Sequence, residues 1–169
     1  NGLPICQFNA SSNELRALKS MYVLGEEKQI QSDLIRKFND YYKYHPNKRI
    51  YLWYDNSGNN QTGFTRRTRA EMARDQLRSM GWAVQLMTVG GSNPRHDAKH
   101  LLWEKVLEEK HHHLPKFRIN YDNARELWIS MKQAKPKMGR NNTIQKDKSS
   151  ERSKVIKPQH ATDLSDAMD

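Results

Sequence analysis

The sequence predicts an α/β protein with a mixed central sheet flanked by helices, because strand-like and helix-like segments alternate along its 169 residues. The central observation is the run at residues 50–54, which is β-branched, aromatic or aliphatic throughout. Such a run is typical of a strand with both faces buried. It ends in Asp55, followed by an Asn-Ser-Gly turn. In open α/β sheets, ligands gather beyond the carboxyl ends of the strands, so Asp55 is the first candidate site residue.

Two strand-like runs precede this segment and are expected to pair as a hairpin. They cover residues 3–8 and 14–23, with a polar turn cluster between them. Residues 26–44 then carry apolar side chains at helical spacing, and Pro46 stops that helix. The order strand, strand, helix therefore leads into the central strand.

Helix and strand patterns continue to alternate after the central strand. Thr65 or Thr68 is expected to cap a helix that runs to Met80, and Gly81 is expected to end it. The apolar residues of the helices are expected to face the core. The remaining elements lie at residues 82–87 (strand), 97–110 (helix), 116–119 (strand) and 122–133 (helix).

The last part of the chain changes in composition. Residues 134–158 are rich in Lys, Arg, Asn and Ser, which predicts a flexible basic loop or hairpin. An acidic segment follows, in which Asp163 and Asp166 are three residues apart and so share one face of a short helix. Thr162 or Asp163 is expected to cap that helix.

The charge is positive and unevenly distributed. The formal net charge is +10 and the sequence pI is about 9.7. Residues 61–158 contain 21 Lys and Arg against 10 Asp and Glu, whereas residues 159–169 contain three Asp and no base. A basic body that ends in an acidic cluster suits a polyanion such as nucleic acid held against a metal site. The alternative is a basic surface with no specific partner.

Other features limit the class of protein. The single cysteine excludes an internal disulfide, and no apolar run reaches the roughly 20 residues that span a bilayer. The chain opens without Met or a signal peptide, so we expect it to be a piece of something longer. His96 and His100 have the spacing of a zinc-binding helix, but no third ligand is evident, which favours a solvated helix.

The order of the elements, with Asp55 after the central strand and two aspartates opening a late helix, is that of ribonuclease H-like nucleases. The sequence resembles the nuclease domain of the large terminase subunit of tailed bacteriophages. The resemblance covers most of the chain, and its last segment, Ala-Thr-Asp-Leu-Ser-Asp-Ala, is the strongest match. The matching segments are residues 50–58, 77–82, 146–152 and 161–167.

The resemblance implies one nuclease domain over residues 1–169 that cleaves double-stranded DNA during genome packaging in the host cytoplasm. The family uses two Mg²⁺ or Mn²⁺ ions, one activating water and the other stabilising the leaving oxygen. Asp55 and Asp163 match its second and third carboxylates, and Asp166 is a further ligand or supports one. The implied partners are DNA, the terminase ATPase domain, the small subunit and the portal. No P-loop motif for an ATPase occurs in these residues.

The family's first carboxylate lies on a strand that precedes residues 3–8. No residue between Asn1 and Tyr22 replaces it. We therefore expect these 169 residues to be truncated at the amino terminus, to hold the second metal weakly and to be nearly inactive by themselves.

Basic residues flank the aspartates in sequence and are expected to contact the DNA backbone without reading bases. Two alternatives stay open. Another ribonuclease H-like enzyme, such as a resolvase or transposase core, would use the same carboxylates on a different DNA shape. A non-catalytic basic DNA-binding module would keep Asp55 and Asp163 far apart. The candidate DNA-binding residues are Arg66, Arg67, Arg69, Lys146, Lys148, Arg152 and Lys154.

Overall fold

The structure, a computed structural model, describes residues 2–24, 30–61, 66–88, 94–139 and 144–168, apart from three side chains in these ranges (Ile30, Arg152 and Asp163). These residues form an α/β protein in which five helices are interleaved with parallel and antiparallel strands, which confirms the predicted class. None of the described helices has the length and apolar character needed to cross a membrane.

The order of strands and helices along the chain is the predicted one. The described strands are β1 (Gly2–Asn9), β2 (Glu14–Tyr22), β3 (Arg49–Trp53), β4 (Ala83–Met87), β5 (Lys116–Ile119), β6 (Pro136–Met138) and β7 (Ile144–Lys146). The described helices are α1 (Ile30–Tyr41), α2 (Arg69–Ser79), α3 (His96–Glu108), α4 (Arg125–Gln133) and α5 (Asp163–Asp166).

The chain divides into two compact units. The first unit comprises Asn1–Glu27 and Pro94–Asp169, and the second unit comprises Lys28–Asn93. In the first unit β1 and β2 form the predicted antiparallel hairpin, and β5 pairs with β2 in parallel. The basic segment contains the short antiparallel pair of β6 and β7. In the second unit β3 and β4 are parallel.

The core of the first unit joins the sheet to three helices. Leu127 of α4 and Leu164 of α5 are almost completely buried, and the rings of Trp103 and Phe117 meet edge to face at 5.0 Å. Full burial of one such side chain contributes about 1.5–3 kcal/mol. The short helix α5 is therefore anchored by Leu164. The buried residues of this core are Ala17, Val106, Phe117, Ala124, Leu127 and Leu164.

In the second unit α2 packs against β4 and α1 packs against α2. Phe38 of α1 lies 4.9 Å from the ring of Trp82, whose indole N–H donates to Asn39 Oδ1 at 3.1 Å. As predicted, Thr68 caps α2: its hydroxyl accepts from the backbone N–H of Glu71, and the Glu71 carboxylate accepts from the backbone N–H of Thr68. Gly81 follows the helix with φ of +89°, a conformation that glycine adopts without strain.

The prediction that the central strand is buried on both faces is wrong. Tyr51 and Trp53 are 56% and 63% exposed, whereas Ile50 and Leu52, which alternate with them, are partly buried. The prediction failed because Tyr and Trp side chains are large and apolar yet carry a polar end. A strand with an unbroken run of such residues can therefore expose one face to solvent.

Several apolar helix residues expected in the core are also exposed. They include Met72 of α2 and Leu101, Leu102 and Leu107 of α3, where Val106 is the buried residue. Polar surface is too limited to cover a protein of this size, so helical spacing alone does not decide which leucines become buried.

Candidate functional site

Asp55 follows β3 directly and begins a turn that its own side chain organises. Its Oδ1 accepts hydrogen bonds from the backbone N–H of Ser57 at 3.1 Å and from the Ser57 hydroxyl at 2.5 Å. It thereby caps the 3₁₀ turn Asn56–Asn59. Asp and Asn favour such turns because their short side chains bond the backbone two residues on. The carboxylate is exposed, and both of these bonds fall on Oδ1.

Asp166, at the end of α5, lies in a different environment. Its Oδ1 accepts from Lys146 Nζ at 2.8 Å, and its Oδ2 accepts from Lys148 Nζ at 2.5 Å. We call Lys146, Lys148 and Asp166 the lysine clamp. The Lys146 side chain is only 12% exposed, whereas that of Lys148 is 49% exposed. Both carboxylate oxygens of Asp166 are thus engaged by ammonium groups.

The contacts within the clamp change the proton affinity of Asp166 and of Lys148. Partial burial raises the pKa of Asp166, but hydrogen bonds from Lys146 and Lys148 outweigh that effect and hold its pKa below the usual range. The hydrogen bond to Asp166 raises the pKa of Lys148. Asp166 and Lys148 are consequently charged near neutral pH.

The two lysines lie where β7 gives way to a 3₁₀ turn. Lys146 is the last residue of β7, Lys148 precedes the turn at Ser149–Arg152, and both side chains reach the Asp166 carboxylate. Asp147, between them, instead accepts from the Ser149 N–H and hydroxyl at 3.0 Å and lies 3.6 Å from Lys137. In this Lys-Asp-Lys segment the two lysines therefore contact Asp166, whereas the aspartate contacts Ser149 and Lys137.

A buried polar network holds α5 against α4. Ser130 Oγ donates to the carbonyl of Ala161 and accepts from the N–H of Ser165 at 3.0 Å. The Ser165 hydroxyl donates to the carbonyl of Thr162 at 2.8 Å, and all three of these hydroxyl-bearing residues are at least 97% buried. Ser130 satisfies an amide at the start of α5 that has no partner within the helix. No pattern in the sequence indicated this role for Ser130.

Glu151 is a second residue near Asp166 that the sequence analysis did not single out. Its carboxylate accepts from the Thr162 hydroxyl, and its Oε1 lies 3.5 Å from Lys148 Nζ. Lys148 is therefore shared between Glu151 and Asp166. Glu151 lies within residues 146–152, one of the segments that resemble the terminase family, and that position could have identified it as a candidate.

The other predicted site residues are distributed over both units. Arg66, Arg67 and Arg69 are exposed residues of the second unit, where Arg67 pairs with Asp75 at 3.1 Å. Lys154 is exposed in the first unit. The side chains of Arg152 and Asp163 lie outside the described residues.

Asp55 belongs to the second unit, and Asp163 and Asp166 belong to the first. Within the first unit, the structure brings Asp166 together with Lys146, Lys148 and Glu151. A metal site shared by the three aspartates stays a prediction.

The chemistry of the donors bears on the predicted metal ions. Carboxylate oxygens suit Mg²⁺ and Mn²⁺. Across the residues that the structure describes, no group of three His, Cys, Asp or Glu side chains is placed to hold a metal ion. Each oxygen of Asp166 accepts from a lysine, so a divalent ion at this carboxylate would lie beside two ammonium groups of like charge, and the described arrangement does not fit such an ion. His100 lies 3.3 Å from Glu104, one helical turn on.

A comparison of the chain with protein-family models, with curated proteins and with solved structures finds no match.

Proposed function

We propose that the chain is a metal-dependent, ribonuclease H-like nuclease that cleaves double-stranded DNA, and that it is the nuclease domain of a phage terminase large subunit. The position of Asp55 carries the proposal. An exposed carboxylate stands at the carboxyl end of a parallel strand pair, in a turn rigidified by two hydrogen bonds to Ser57. Substrate-binding and catalytic groups gather at this place in α/β proteins.

Asp55 and Asp163 would supply oxygen ligands to Mg²⁺ or Mn²⁺, with Asp166 as a further ligand or a residue that supports one, and the ions would activate water and stabilise the leaving oxygen. The protein's own contribution is to orient these groups. Ser57 fixes the rotation of the Asp55 carboxylate, and the network around Ser130 fixes the start of the helix that carries Asp163 and Asp166.

The charge of the chain supports DNA as the substrate. A formal net charge of +10 favours association with a polyanion, and exposed basic residues such as Arg66 and Lys154 would neutralise phosphates whatever the base sequence. By resemblance, the ATPase motor, the small subunit and the portal would be the partners during packaging in the host cytoplasm.

A non-catalytic DNA-binding module is the second candidate, and one observation favours it. The two ion pairs of Asp166 are what a structural carboxylate would make. A resolvase or transposase core would share the carboxylates of a terminase nuclease and differ in the DNA shape that it prefers. Binding to a linear duplex compared with a four-way junction separates that alternative.

Calorimetric titration with Mn²⁺ tests the proposed function. Asp55→Asn and Asp163→Asn are each expected to weaken metal binding by about tenfold or more, since even a group that only orients a ligand is typically worth that much. Glu104→Gln is the matched control, because Glu104 is an exposed carboxylate on α3 and should leave metal affinity unchanged.

Undiminished Mn²⁺ affinity in both aspartate variants, with DNA binding retained, would exclude the proposed metal site. That outcome would support the non-catalytic module instead. Because the test measures metal binding, it does not depend on cleavage by the 169 residues.

A further inference from the structure

One face of the parallel pair of β3 and β4 is largely exposed and carries aromatic side chains. Alternate residues of a strand project to the same face, and β3 and β4 pair residue by residue, so six residues share this face. More than half of the surface of Tyr51 and of Trp53 is open to solvent. We call this surface the aromatic face. Its residues are Arg49, Tyr51 and Trp53 of β3 and Ala83, Gln85 and Met87 of β4.

Two exposed arginines give the aromatic face a positive charge. Arg49 begins β3, Arg78 lies in α2, and both line one open groove beside residues 83–85 of β4. Nη2 of Arg78 donates to the carbonyl of Val84 at 3.2 Å, which holds the guanidinium at this groove. A guanidinium has five N–H donors in a planar fork, and that bond uses one of them. None of the six residues of the aromatic face is Asp or Glu, so its charge suits an anionic ligand.

The kind of apolar residue on the aromatic face indicates a ligand with planar groups. Tyr51 and Trp53 are two residues apart in one strand, about 6.5 Å, so they offer two separate rings. Proteins that bind unpaired bases stack them on aromatic side chains exposed on a sheet and hold the phosphates with basic side chains. In a duplex the faces of each base are covered by its neighbours in the stack, so unpaired bases suit these rings best.

We propose that the aromatic face binds single-stranded nucleic acid, with unpaired bases stacked on Tyr51 and Trp53 and phosphates bound by Arg49 and Arg78. The inference goes beyond the proposed function, which concerns duplex cleavage and metal ions. All four residues belong to the second unit, so the site lies within that unit. Base faces and phosphates are common to every sequence, so binding is expected to be independent of base sequence.

The experiment measures the fluorescence anisotropy of a short labelled oligodeoxythymidine titrated with the 169-residue chain. The buffer contains a chelator, so that divalent ions do not contribute. An oligouridine of the same length shows whether DNA or RNA binds more tightly, and a duplex of the same length shows whether unpaired bases are required. Wild-type protein is expected to bind at least one of the two single strands, and either result supports the proposal.

Substitution of the rings separates stacking from general apolar contact. Trp53→Leu and Tyr51→Leu keep an apolar side chain and are each expected to weaken single-strand binding by about 5- to 150-fold, the usual range for the loss of one stacked base. Their duplex affinity should not change. Trp53→Phe keeps a ring and should retain most of the affinity. Tyr44→Leu is the matched control: Tyr44 is 89% exposed, lies in the same unit and has a lysine 5.5 Å from its ring, but is not part of the aromatic face.

Substitution of an arginine tests the contact with phosphate. Arg49→Gln is expected to reduce the slope of log affinity against log salt concentration by about 0.7, the value for one phosphate contact on a single strand. Arg36→Gln is its control, because Arg36 is an exposed arginine of α1 that pairs with Asp33 outside the aromatic face. The control should leave the slope unchanged.

Three results would overturn the proposal. The first is that wild-type protein binds neither single strand, or that Trp53→Leu and Tyr51→Leu bind as wild type does. The second is an equal loss of duplex affinity in these variants. The third is a loss of self-association, measured by sedimentation, with single-strand affinity unchanged, which would make the face an interface between copies of the chain.

The outcome is independent of the test of the proposed function. Single-strand binding is measured without divalent ions, so its absence leaves the proposed metal site standing. Undiminished Mn²⁺ affinity in Asp55→Asn and Asp163→Asn would exclude that metal site and leave the aromatic face standing.

Discussion

Asp55 and Asp166 are both candidate metal ligands, yet their surroundings have different origins. The Asp55 carboxylate accepts two hydrogen bonds within its own turn, from a residue two positions away. Asp166 bonds to lysines that lie 18 and 20 residues before it and is partly buried with them. Asp55 is therefore oriented by local contacts. Asp166 is a component of the tertiary structure.

Two threonines that precede helices show the same contrast. Thr68 caps α2 through its own third neighbour, Glu71, by the reciprocal bonds of a capping box. Thr162 donates its hydroxyl to Glu151, 11 residues earlier, and its carbonyl accepts from Asp166 N–H. The start of α2 is set by local sequence, whereas the start of α5 is set by contacts with α4 and the basic segment.

The largest effect on stability that this difference predicts is at Leu164, which anchors α5. Leu164→Ala is expected to lower the free energy of unfolding by about 2–5 kcal/mol, because it empties a site that is 1% exposed in the core under α5. Denaturant unfolding measures the loss, and hydrogen exchange of the α4 amides assigns it to the first unit. Leu107→Ala, which truncates a leucine that is 59% exposed, should change the stability by less than about 0.5 kcal/mol. Similar losses in both variants would contradict the anchoring of α5 by Leu164.

A smaller effect separates the two aspartates directly. Asp166→Asn is expected to cost about 1–3 kcal/mol, since it removes the negative charge that accepts hydrogen bonds from Lys146 and Lys148. Asp55→Asn should stay within about 0.5 kcal/mol of wild type, as exposed substitutions usually do. Both are measured by denaturant unfolding in metal-free buffer. An equal cost at the two positions would remove the distinction between a local and a tertiary carboxylate.

The smallest effect concerns the local cap. Thr68→Ala is expected to destabilise α2 by about 1 kcal/mol, because the N–H of Glu71 loses its acceptor. Hydrogen exchange at the first turn of α2 reports the change, while exchange in α4 should be unaffected. Thr68→Ser keeps the hydroxyl and should retain most of the protection. Equal protection in Thr68→Ala and wild type would show that packing, and not the cap, holds this helix end.

Much of the architecture could be predicted because it depends on rules that act over a few residues. The hairpin of β1 and β2, the bounds of β5, the cap at Thr68 and the turn after Asp55 all come from alternation, turn chemistry and capping. Asp166 could be named as a site residue from its spacing to Asp163, but its partners could not. Lys146 and Lys148 were expected to contact DNA, and nothing in their spacing showed that they pair with Asp166 in the free chain.

The sequence by itself determined the class of fold, the order of its elements and the carboxylate at the end of β3. The tertiary structure alone decided which apolar faces are covered, so that Trp53 and Leu107 are exposed while Leu164 is buried. It also decided that Ser130 accepts a hydrogen bond from the start of α5 and that two lysines donate to the Asp166 carboxylate. The physical reason is range: propensity, turns and caps act within about four residues, whereas burial and ion pairing depend on which distant segments the folded chain brings into contact.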